Sequence, residues 1–452
     1  MTNLAHPRLS GLGRNPAAPR DVLVRLAAHR AGRSGLTRRP GRLEDAVVEA
    51  LLAHGDRRSS VTLYGDRVSP EMRRRIAEHP DPEIRDAYPD FVRDMVERGV
   101  PLGLDDLERV YARPLDVLAR AEDPKLRAAI ADLWHDRPPA VQAELLADPD
   151  PRVRAAATRH ERPGIPPEWR ERCLADPAVR ANAARSVPLT AEQFERLVRS
   201  GDEDVLTAVA DNPHLSAEMV ARLVADVDHP YVRIAAALSR HVDTATRDRL
   251  YALVEAEYAN GSVEAEIALY WYPAEPGWLR EAPLDERLAY LDCPHAVFRR
   301  VLASCHDLPE EAWRRLDDDP DPMVRQIAAH RPDTPPDVLE RLVREHGDAR
   351  RPRPLLVDHP NFPRHALRTF VDDPDPQVRR LALHDPELPA RDLERLAADP
   401  ALRSGVAEHP NVTDALLDRL LSDPDPEVAD HAAANPALPP DRMYRILAAA
   451  GL

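Results

Sequence analysis

The stretch Asp148–Arg154 reads DPDPRVR, and this phrase decides the fold of the chain. Worn or clear copies return about every 25 residues, and clean copies begin at Asp319, Asp373 and Asp423. A fixed period of this length is typical of stacked supersecondary units. The sequence therefore predicts a repeat array, which grows in one dimension and has no single central core.

The copy that begins at Asp373 predicts two short helices joined by a proline corner. Asp375 can cap a helix, and Pro376 suits the first turn because no backbone N–H is needed there. Apolar residues then recur at i, i+3 and i+4, as on one face of a helix. Asp385 precedes Pro386 and avoids the helical region, so the first helix ends there. Helices this short need stacked neighbours to be stable.

The composition agrees with helices that pack closely through small aliphatic side chains. Of 452 residues, 43% are apolar but only 4% are aromatic, and the 47 prolines flank apolar stretches. The net charge is −16, although the first 42 residues carry nine arginines and one acid. An acidic chain repels phosphate backbones on average. We therefore expect a protein or peptide partner with a basic segment and disfavour nucleic acid.

The sequence carries no motif for a metal, a cofactor or a membrane span. Cys173, Cys293 and Cys305 form no CxxC pair, and we expect them to be buried as small apolar residues. No apolar run approaches the ~18 residues that span a bilayer. We therefore expect no metal, no cofactor, no membrane contact and a cytoplasmic location. Lys125 is the one lysine among 62 basic residues, a bias that indicates a GC-rich, bacterial genome.

No catalytic residues are predicted, because no phosphate loop, nucleophile elbow or recognisable triad spacing is present. Histidine does recur near the proline corners, at His79, His160, His330, His384 and His409. Asn212 and Asn435 stand in corresponding positions. A metal site would need two or more of these side chains in one coordination sphere, whereas exchange with asparagine favours a role in the turn.

Residues 1–452 are predicted to form one array whose regularity varies. The repeats are worn in 1–145, clear in 146–241, irregular in 242–290 and best kept in 291–452. The irregular part should begin with a longer helix, from Asp243 to Tyr258. Residues 30–42 and 346–358 are predicted loops. Insertions in solenoids tend to lie on one face, often the binding face.

Two groups of residues outside the phrase are candidates for partner binding. Four aromatic residues fall within nine positions of a chain poor in them, namely Tyr270, Trp271, Tyr272 and Trp278. The second group contains the arginines of the loop at 346–358, namely Arg350, Arg351 and Arg353. Clustered aromatics favour a binding patch. Packing in the wider gap left by the irregular repeat is the alternative for them, and it is slightly favoured.

The aspartate and arginine of the phrase are predicted to join neighbouring repeats. They lie six positions apart in the pairs Asp148 and Arg154, Asp319 and Arg325, and Asp373 and Arg379. An arginine fork can bridge a carboxylate or a carbonyl of the next repeat. A stripe of arginines for an anionic ligand is the alternative, but the aspartate accompanies the arginine and so favours the structural role.

The phrase, followed by Leu-Pro and Leu-x-x-Leu, resembles the leucine-rich repeat variant family. The likeness is strong from about residue 290 to 450 and worn elsewhere. The resemblance implies an all-α fold, a right-handed α-solenoid of short paired helices (α with 3₁₀ or α with α), similar to the HEAT superhelix and its Asp–Arg ladder. The founding type also carries a cysteine-rich iron–sulfur segment, which this chain lacks.

The architecture predicts a non-catalytic scaffold that binds a protein or peptide on the concave face of the solenoid. One alternative is a HEAT-like nucleic-acid-binding or DNA-glycosylase-like protein. That function would require a basic inner surface and a buried acid beside an aromatic ring. The other alternative is a lyase or assembly chaperone for a partner protein, which would require a deep pocket near residues 242–290.

Overall fold

The computed structural model describes residues 5–54, 63, 67–100, 102–272, 274–348 and 354–452. Within these ranges every regular element is a helix, so the predicted all-α class is confirmed. Contacts divide the chain into two compact units, Met1–Phe91 with Arg325–Leu452, and Val92–Val324. Helices that neighbour each other along the chain pack together within each unit, as expected of a solenoid. The predicted limits of worn and well-kept repeats stay a prediction.

The first unit contains short helices at both ends of the chain. They are Ala5–Arg14, Arg20–Leu26, Arg30–Arg38, Asp45–His54, Pro70–Ala77, Pro82–Arg85, Pro336–His346, Leu356–Asp358, Arg364–Thr369, Phe370–Asp372, Pro376–Leu381, Ala382–His384, Ala390–Leu396, Pro400–Leu402, Arg403–Glu408, Asp414–Leu421, Pro426–Ala434 and Pro440–Ala449. Helices Ala87–Arg98 and Pro322–Ala329 include the residues at which the units divide. Both helices of a pair are α-helical, and single 3₁₀ turns such as Ala382–His384 adjoin them.

The second unit contains the remaining helices. They are Leu104–Tyr111, Leu115–Leu118, Pro124–Leu133, Pro139–Leu146, Pro151–Thr158, Pro167–Trp169, Arg170–Ala175, Arg180–Ser186, Ala191–Arg199, Glu203–Ala210, Ala217–Asp226, Pro230–Ala237, Thr244–Ala259, Val263–Glu266, Ile267–Trp271, Trp278–Glu281, Leu284–Leu288, Ala289–Asp292, Ala296–Ala303 and Glu310–Asp317. Among the residues described, no helix has the length and apolar content needed to cross a membrane.

The second aspartate of the phrase starts the first helix of each pair. Asp150 accepts a hydrogen bond from the backbone N–H of Arg152 at 2.8 Å, and Pro151 occupies the first turn. Asp375 accepts from Gln377 in the same way, as the sequence predicts. Such a cap satisfies a backbone donor that the helix cannot bond itself. Helix starts are therefore set by the Asp-Pro pairs.

The arginine of the phrase bonds to two repeats at once. Arg154 donates to the carbonyl of Asp148 in its own repeat at 2.8 Å and to the carboxylate of Asp176 in the following repeat at 2.6 Å. Arg127 holds both carboxylate oxygens of Asp148, at 2.7 and 2.9 Å. Within one phrase, Arg154 therefore bonds to the backbone carbonyl of Asp148 and not to its carboxylate. The carboxylates of Asp148 and Asp176 each accept hydrogen bonds from the arginine of the preceding repeat.

The other phrases follow the same arrangement. Arg379 donates to the carbonyl of Asp373 at 2.9 Å and to the carboxylate of Asp399 at 2.8 Å. Asp319 receives Arg299 through both carboxylate oxygens, at 2.7 and 3.0 Å. Charge-assisted bonds of this forked type are both strong and directional. They stabilise one stacking register between consecutive repeats.

A second set of hydrogen bonds joins the proline corner of one repeat to backbone carbonyls of the preceding repeat. Asn212 donates through Nδ2 to the carbonyls of Ala184 and Val187 at 2.6 and 2.8 Å, and its Oδ1 accepts from the N–H of His214. His409 lies in the same position, with Nε2 at 2.8 Å from the carbonyl of Asp385. Asn212 and His409 both lie directly before a proline. His79 and His409 hold that position, whereas His330 and His384 stand one residue earlier.

The first helical repeat stacks on the last one within the first unit. Asn15 donates to the carbonyls of Ala433 and Asn435 at 3.0 and 2.7 Å, just as Asn435 donates to its own preceding repeat. Arg14 pairs with Asp430, and Leu9 belongs to the same apolar cluster as the C-terminal helices. The repeat at 5–26 therefore stacks on the repeat that contains Asn435.

The prediction of a loop at 30–42 is wrong for residues 30–38. These residues form helix Arg30–Arg38, which packs closely on helix Ala5–Arg14. A Cβ atom on Gly35 would lie 2.1 Å from the carbonyl oxygen of Ser10, so only glycine permits this approach. The glycines that suggested a loop instead let two helix backbones come together.

Replacing Asn15 should destabilise the first unit. Asn15→Ala leaves two buried carbonyls without their side-chain donor, and we expect a loss of about 1–3 kcal/mol in the free energy of unfolding. Urea unfolding followed by circular dichroism measures this loss. Asn15→His is the matched control, because histidine makes the reaching bond at position 409. An equal loss in both variants, or none in Asn15→Ala, would contradict this role of the corner.

Candidate partner-binding site

The irregular segment begins with the predicted long helix and then departs from the repeat. Helix Thr244–Ala259 is capped by Asp243, which accepts from the N–H of Thr246 at 2.7 Å. After a turn at Gly261, helix Val263–Glu266 continues into a π-helical turn over Ile267–Trp271. π turns hold one extra residue, alter the direction of the side chains that follow and are frequent at functional sites.

The four clustered aromatic residues divide into two pairs. Tyr270 and Trp271 lie on the surface, with 66% and 73% of their area exposed. Tyr272 and Trp278 turn inward and bond to earlier repeats: the Tyr272 hydroxyl donates to Asp211, and Trp278 Nε1 donates to the carbonyl of Leu238 at 2.8 Å. Packing therefore accounts for the second pair, whereas the first pair has no such partner among the residues described.

Other exposed apolar side chains lie on the same segment of chain as Tyr270 and Trp271. Val263, Ile267 and Tyr258 are also exposed, and the rings of Tyr258 and Tyr270 meet edge to face at 5.4 Å. We call these five residues the aromatic face. Solvent-exposed apolar groups that lie together mark interaction sites more often than scattered ones do. Tyrosine and tryptophan also contribute most to known protein interfaces.

The chain segment that carries the aromatic face is acidic, although Arg233 from an earlier helix pairs with its Glu257. Residues 250–279 contain five glutamates and neither lysine nor arginine. Glu255, Glu264 and Glu266 are exposed, and Glu255 and Glu266 have no ion-pair partner in the described part of the chain. An exposed carboxylate beside an aromatic ring attracts cations both by charge and through the ring face.

A cavity of about 590 Å³ lies under the strap formed by residues 272 and 274–278. Its walls come from the ends of helices that belong to successive repeats, at Thr158, Ser186, Ala210 and Leu238. Its apolar lining includes Val220 and Leu223, together with the rings of Tyr272 and Trp278. We call it the Asp211 pocket. Its volume lies in the range of known ligand pockets.

Asp211 is the buried acid of this pocket, with 15% of its side chain exposed. One carboxylate oxygen accepts from the Tyr272 hydroxyl, and the other accepts from Arg185 Nε at 3.3 Å. Burial raises the pKa of Asp211, and the bonds from Tyr272 and Arg185 oppose that rise. Burial also raises the pKa of Tyr272, and the Tyr231 ring packs on it at 4.3 Å.

Three arginines of the chain line the pocket, and one of them, Arg159, pairs with Asp132 at 2.8 Å. Arg185 is half exposed and gives Asp211 a single long bond. Arg240 lies over the ring of Trp278, 5.8 Å from its centre. The remaining acids that line the pocket are Glu161, which is exposed, and Glu275, which pairs with Arg280 at 2.5 Å.

The remaining arginine candidates of the sequence are Arg325, Arg350, Arg351 and Arg353. Arg350, Arg351 and Arg353 fall outside the described residues, so their role stays a prediction. In the same predicted loop, Asp348 accepts from the backbone of Leu356 and Val357 at 2.9 Å. Arg325 lies on helix Pro322–Ala329.

The three cysteines are free and buried. They are Cys173, Cys293 and Cys305, and burial raises the pKa of the Cys173 thiol to about 11. A thiol that holds its proton this firmly is a poor nucleophile. No group of three potential metal ligands occurs among the residues that the structure covers.

Two family models match the chain, both in its C-terminal part. The model of the Leucine Rich Repeat Variant domain matches residues 379–434, and that of the Leucine rich repeat variant matches residues 322–346. Residues 322–346 and 379–434 are therefore similar to leucine-rich repeat variant repeats. The resemblance found in the phrase is thereby confirmed for these residues. No curated protein matches the chain.

Solved structures also resemble the chain. One is the crystal structure of an engineered protein of the Northeast Structural Genomics Consortium. It is 16% identical, the match covers 95% of this chain and 99% of that chain, and the TM-score is 0.16. A score this low carries no argument about function.

Asp211→Asn should change how the stability of unit Val92–Val324 depends on pH. The folded-state pKa of Asp211 lies above its unfolded value of about 3.9. The folded protein therefore binds this proton more tightly, and its stability falls as pH rises between the two pKa values. Asparagine does not ionise, so the variant should gain stability relative to the parent as pH rises through that window. Urea unfolding between about pH 4 and pH 7 measures the difference.

Asp176→Asn provides the control of opposite sign in the same unit. The bond from Arg154 lowers the pKa of Asp176. Its contribution to stability is therefore present above the unfolded pKa and is lost as pH falls through the folded one. This variant should be less stable than the parent at neutral pH, with a deficit that shrinks in acid. The account of Asp211 fails if both variants show the same sign.

Proposed function

We propose that this chain is a non-catalytic scaffold that binds a basic segment of a partner protein through the aromatic face. The observation that carries the proposal is the pair Tyr270 and Trp271, exposed to 66% and 73% beside unpaired glutamates. The repeat architecture supports binding as the general role. The proposal names the aromatic face in place of the concave surface expected from architecture alone.

The chemistry of the face favours a basic protein segment over a nucleic acid or a membrane. Phosphate groups of DNA, RNA or anionic lipid would approach five glutamates without a single lysine or arginine over residues 250–279. An arginine-rich segment would instead gain charge attraction and cation–π contacts with Trp271 and Tyr270. Arginine is also the basic residue most enriched at protein interfaces.

Each alternative function has one of its required features. A buried acid beside an aromatic ring, expected of a glycosylase-like protein, is present in Asp211 and Tyr272. A pocket near residues 242–290, expected of a lyase or assembly chaperone, is present under the strap. Neither function explains why Tyr270 and Trp271 face solvent, so the scaffold is the function we propose.

Removal of Trp271 should weaken binding of a basic peptide. The probe is hexa-arginine amide, titrated by isothermal calorimetry at physiological salt to screen long-range attraction to the acidic chain. We expect Trp271→Ala to weaken binding about tenfold, as for a hot-spot aromatic residue. Phe91→Ala removes an aromatic ring that is 41% exposed outside the face and should leave binding unchanged. Equal binding by all three proteins would contradict the proposal.

Capture from the source organism tests the same proposal with a natural partner. The full-length protein should retain a protein in stoichiometric amount, and Trp271→Ala should lose it while Phe91→Ala keeps it. Retention of nucleic acid or lipid alone would overturn the scaffold function. A partner that both variants retain would place the contact elsewhere on the chain.

A further inference from the structure

Two guanidinium groups of the chain contact polar and aromatic groups of the Asp211 pocket. Arg185 contacts the carboxylate of Asp211, and Arg240 lies over the ring of Trp278. These are the two recognised ways of binding a guanidinium group, by a carboxylate and by an aromatic face. Both binding groups converge on one cavity under the strap.

The backbone around the pocket also favours a positive charge. Four helices end at its wall, namely Pro151–Thr158, Arg180–Ser186, Glu203–Ala210 and Pro230–Ala237. The C-terminal end of a helix carries a partial negative charge, which stabilises cations near its last turn. These helix ends act together with the carboxylate of Asp211.

The pocket keeps capacity for one more cation. A volume of about 590 Å³ is empty beside the three arginines that line the pocket, and this is more than one side chain occupies. Arg185 holds Asp211 by one bond of 3.3 Å and remains 50% exposed. A carboxylate offers about four acceptor positions and binds arginine best through two parallel bonds. An incoming guanidinium group that made two parallel bonds to Asp211 would bind more strongly than Arg185 does.

We propose that the Asp211 pocket receives an anchoring arginine side chain of the basic partner segment, with Arg185 as its internal placeholder. This inference rests on the proposed function, because the same segment would cover the aromatic face. The arginine fork would pair with Asp211 while its plane lies against Tyr272 or Trp278. Lysine lacks the planar fork, so the pocket selects arginine over lysine.

Variants of the two pocket residues should act in opposite directions. Binding of hexa-arginine amide and of hexa-lysine amide is measured by calorimetry on the full chain. We expect Asp211→Asn to weaken hexa-arginine binding about tenfold and to abolish the preference over hexa-lysine. Arg185→Gln removes the placeholder and should tighten hexa-arginine binding severalfold. Asp176→Asn, a neutralised acid away from the pocket, should leave the preference for arginine intact.

The outcomes separate this inference from the function on which it rests. Weaker binding in Trp271→Ala with no effect of Asp211→Asn would overturn the anchoring arginine and leave the scaffold standing. Loss of affinity in both Asp211→Asn and Arg185→Gln would also overturn it, since general damage to the pocket lowers affinity in either variant. Unchanged binding of hexa-arginine amide by Trp271→Ala would contradict both the proposed function and the anchoring arginine. Equal affinity for the arginine and lysine peptides would rule out a guanidinium site.

Discussion

The structure depends on one interaction, the arginine that bonds at once to the carbonyl of its own repeat and to the carboxylate of the next. Arg154 and Arg379 both make this pair of bonds. Short helices bury too little apolar area to be stable alone, so they require a neighbour in a definite register. The forked bond supplies that register, and the residue before proline adds a second bond in the reverse direction. These bonds explain why most of the polar residues of the phrase recur in each repeat.

The strap of the second unit adds contacts of a different kind. Stacked repeats contact their immediate neighbours, but Tyr272 reaches Asp211 across 61 positions of sequence. The segment can do this because the π turn at Ile267–Trp271 changes the direction of the chain. The same turn leaves Tyr270 and Trp271 on the surface. One irregularity therefore creates both the Asp211 pocket and an exposed apolar face.

Local chemistry explains how much of this could be predicted. The caps at Asp150 and Asp375, the long helix after Asp243 and the all-α class all follow from residue patterns within a few positions. The helix at 30–38 was missed because close helix packing requires the same glycines as a loop does. Asp211 was missed because it lies in an ordinary corner, and its aromatic partner comes from a distant segment. The cluster of aromatic residues in the sequence did point to Tyr272, but it gave no indication that Tyr272 bonds to Asp211.

The central claim is that the recurring residues of the phrase hold neighbouring repeats together, so that a partner binds at the irregular segment, where the phrase is absent. Hydrogen–deuterium exchange of the full chain, with and without a saturating basic peptide, tests this claim most directly. We predict that added protection concentrates in residues 244–278 and at the corner of Asp211, with the well-kept repeats unchanged. Protection spread over the regular repeats, with none in residues 244–278, would contradict the account.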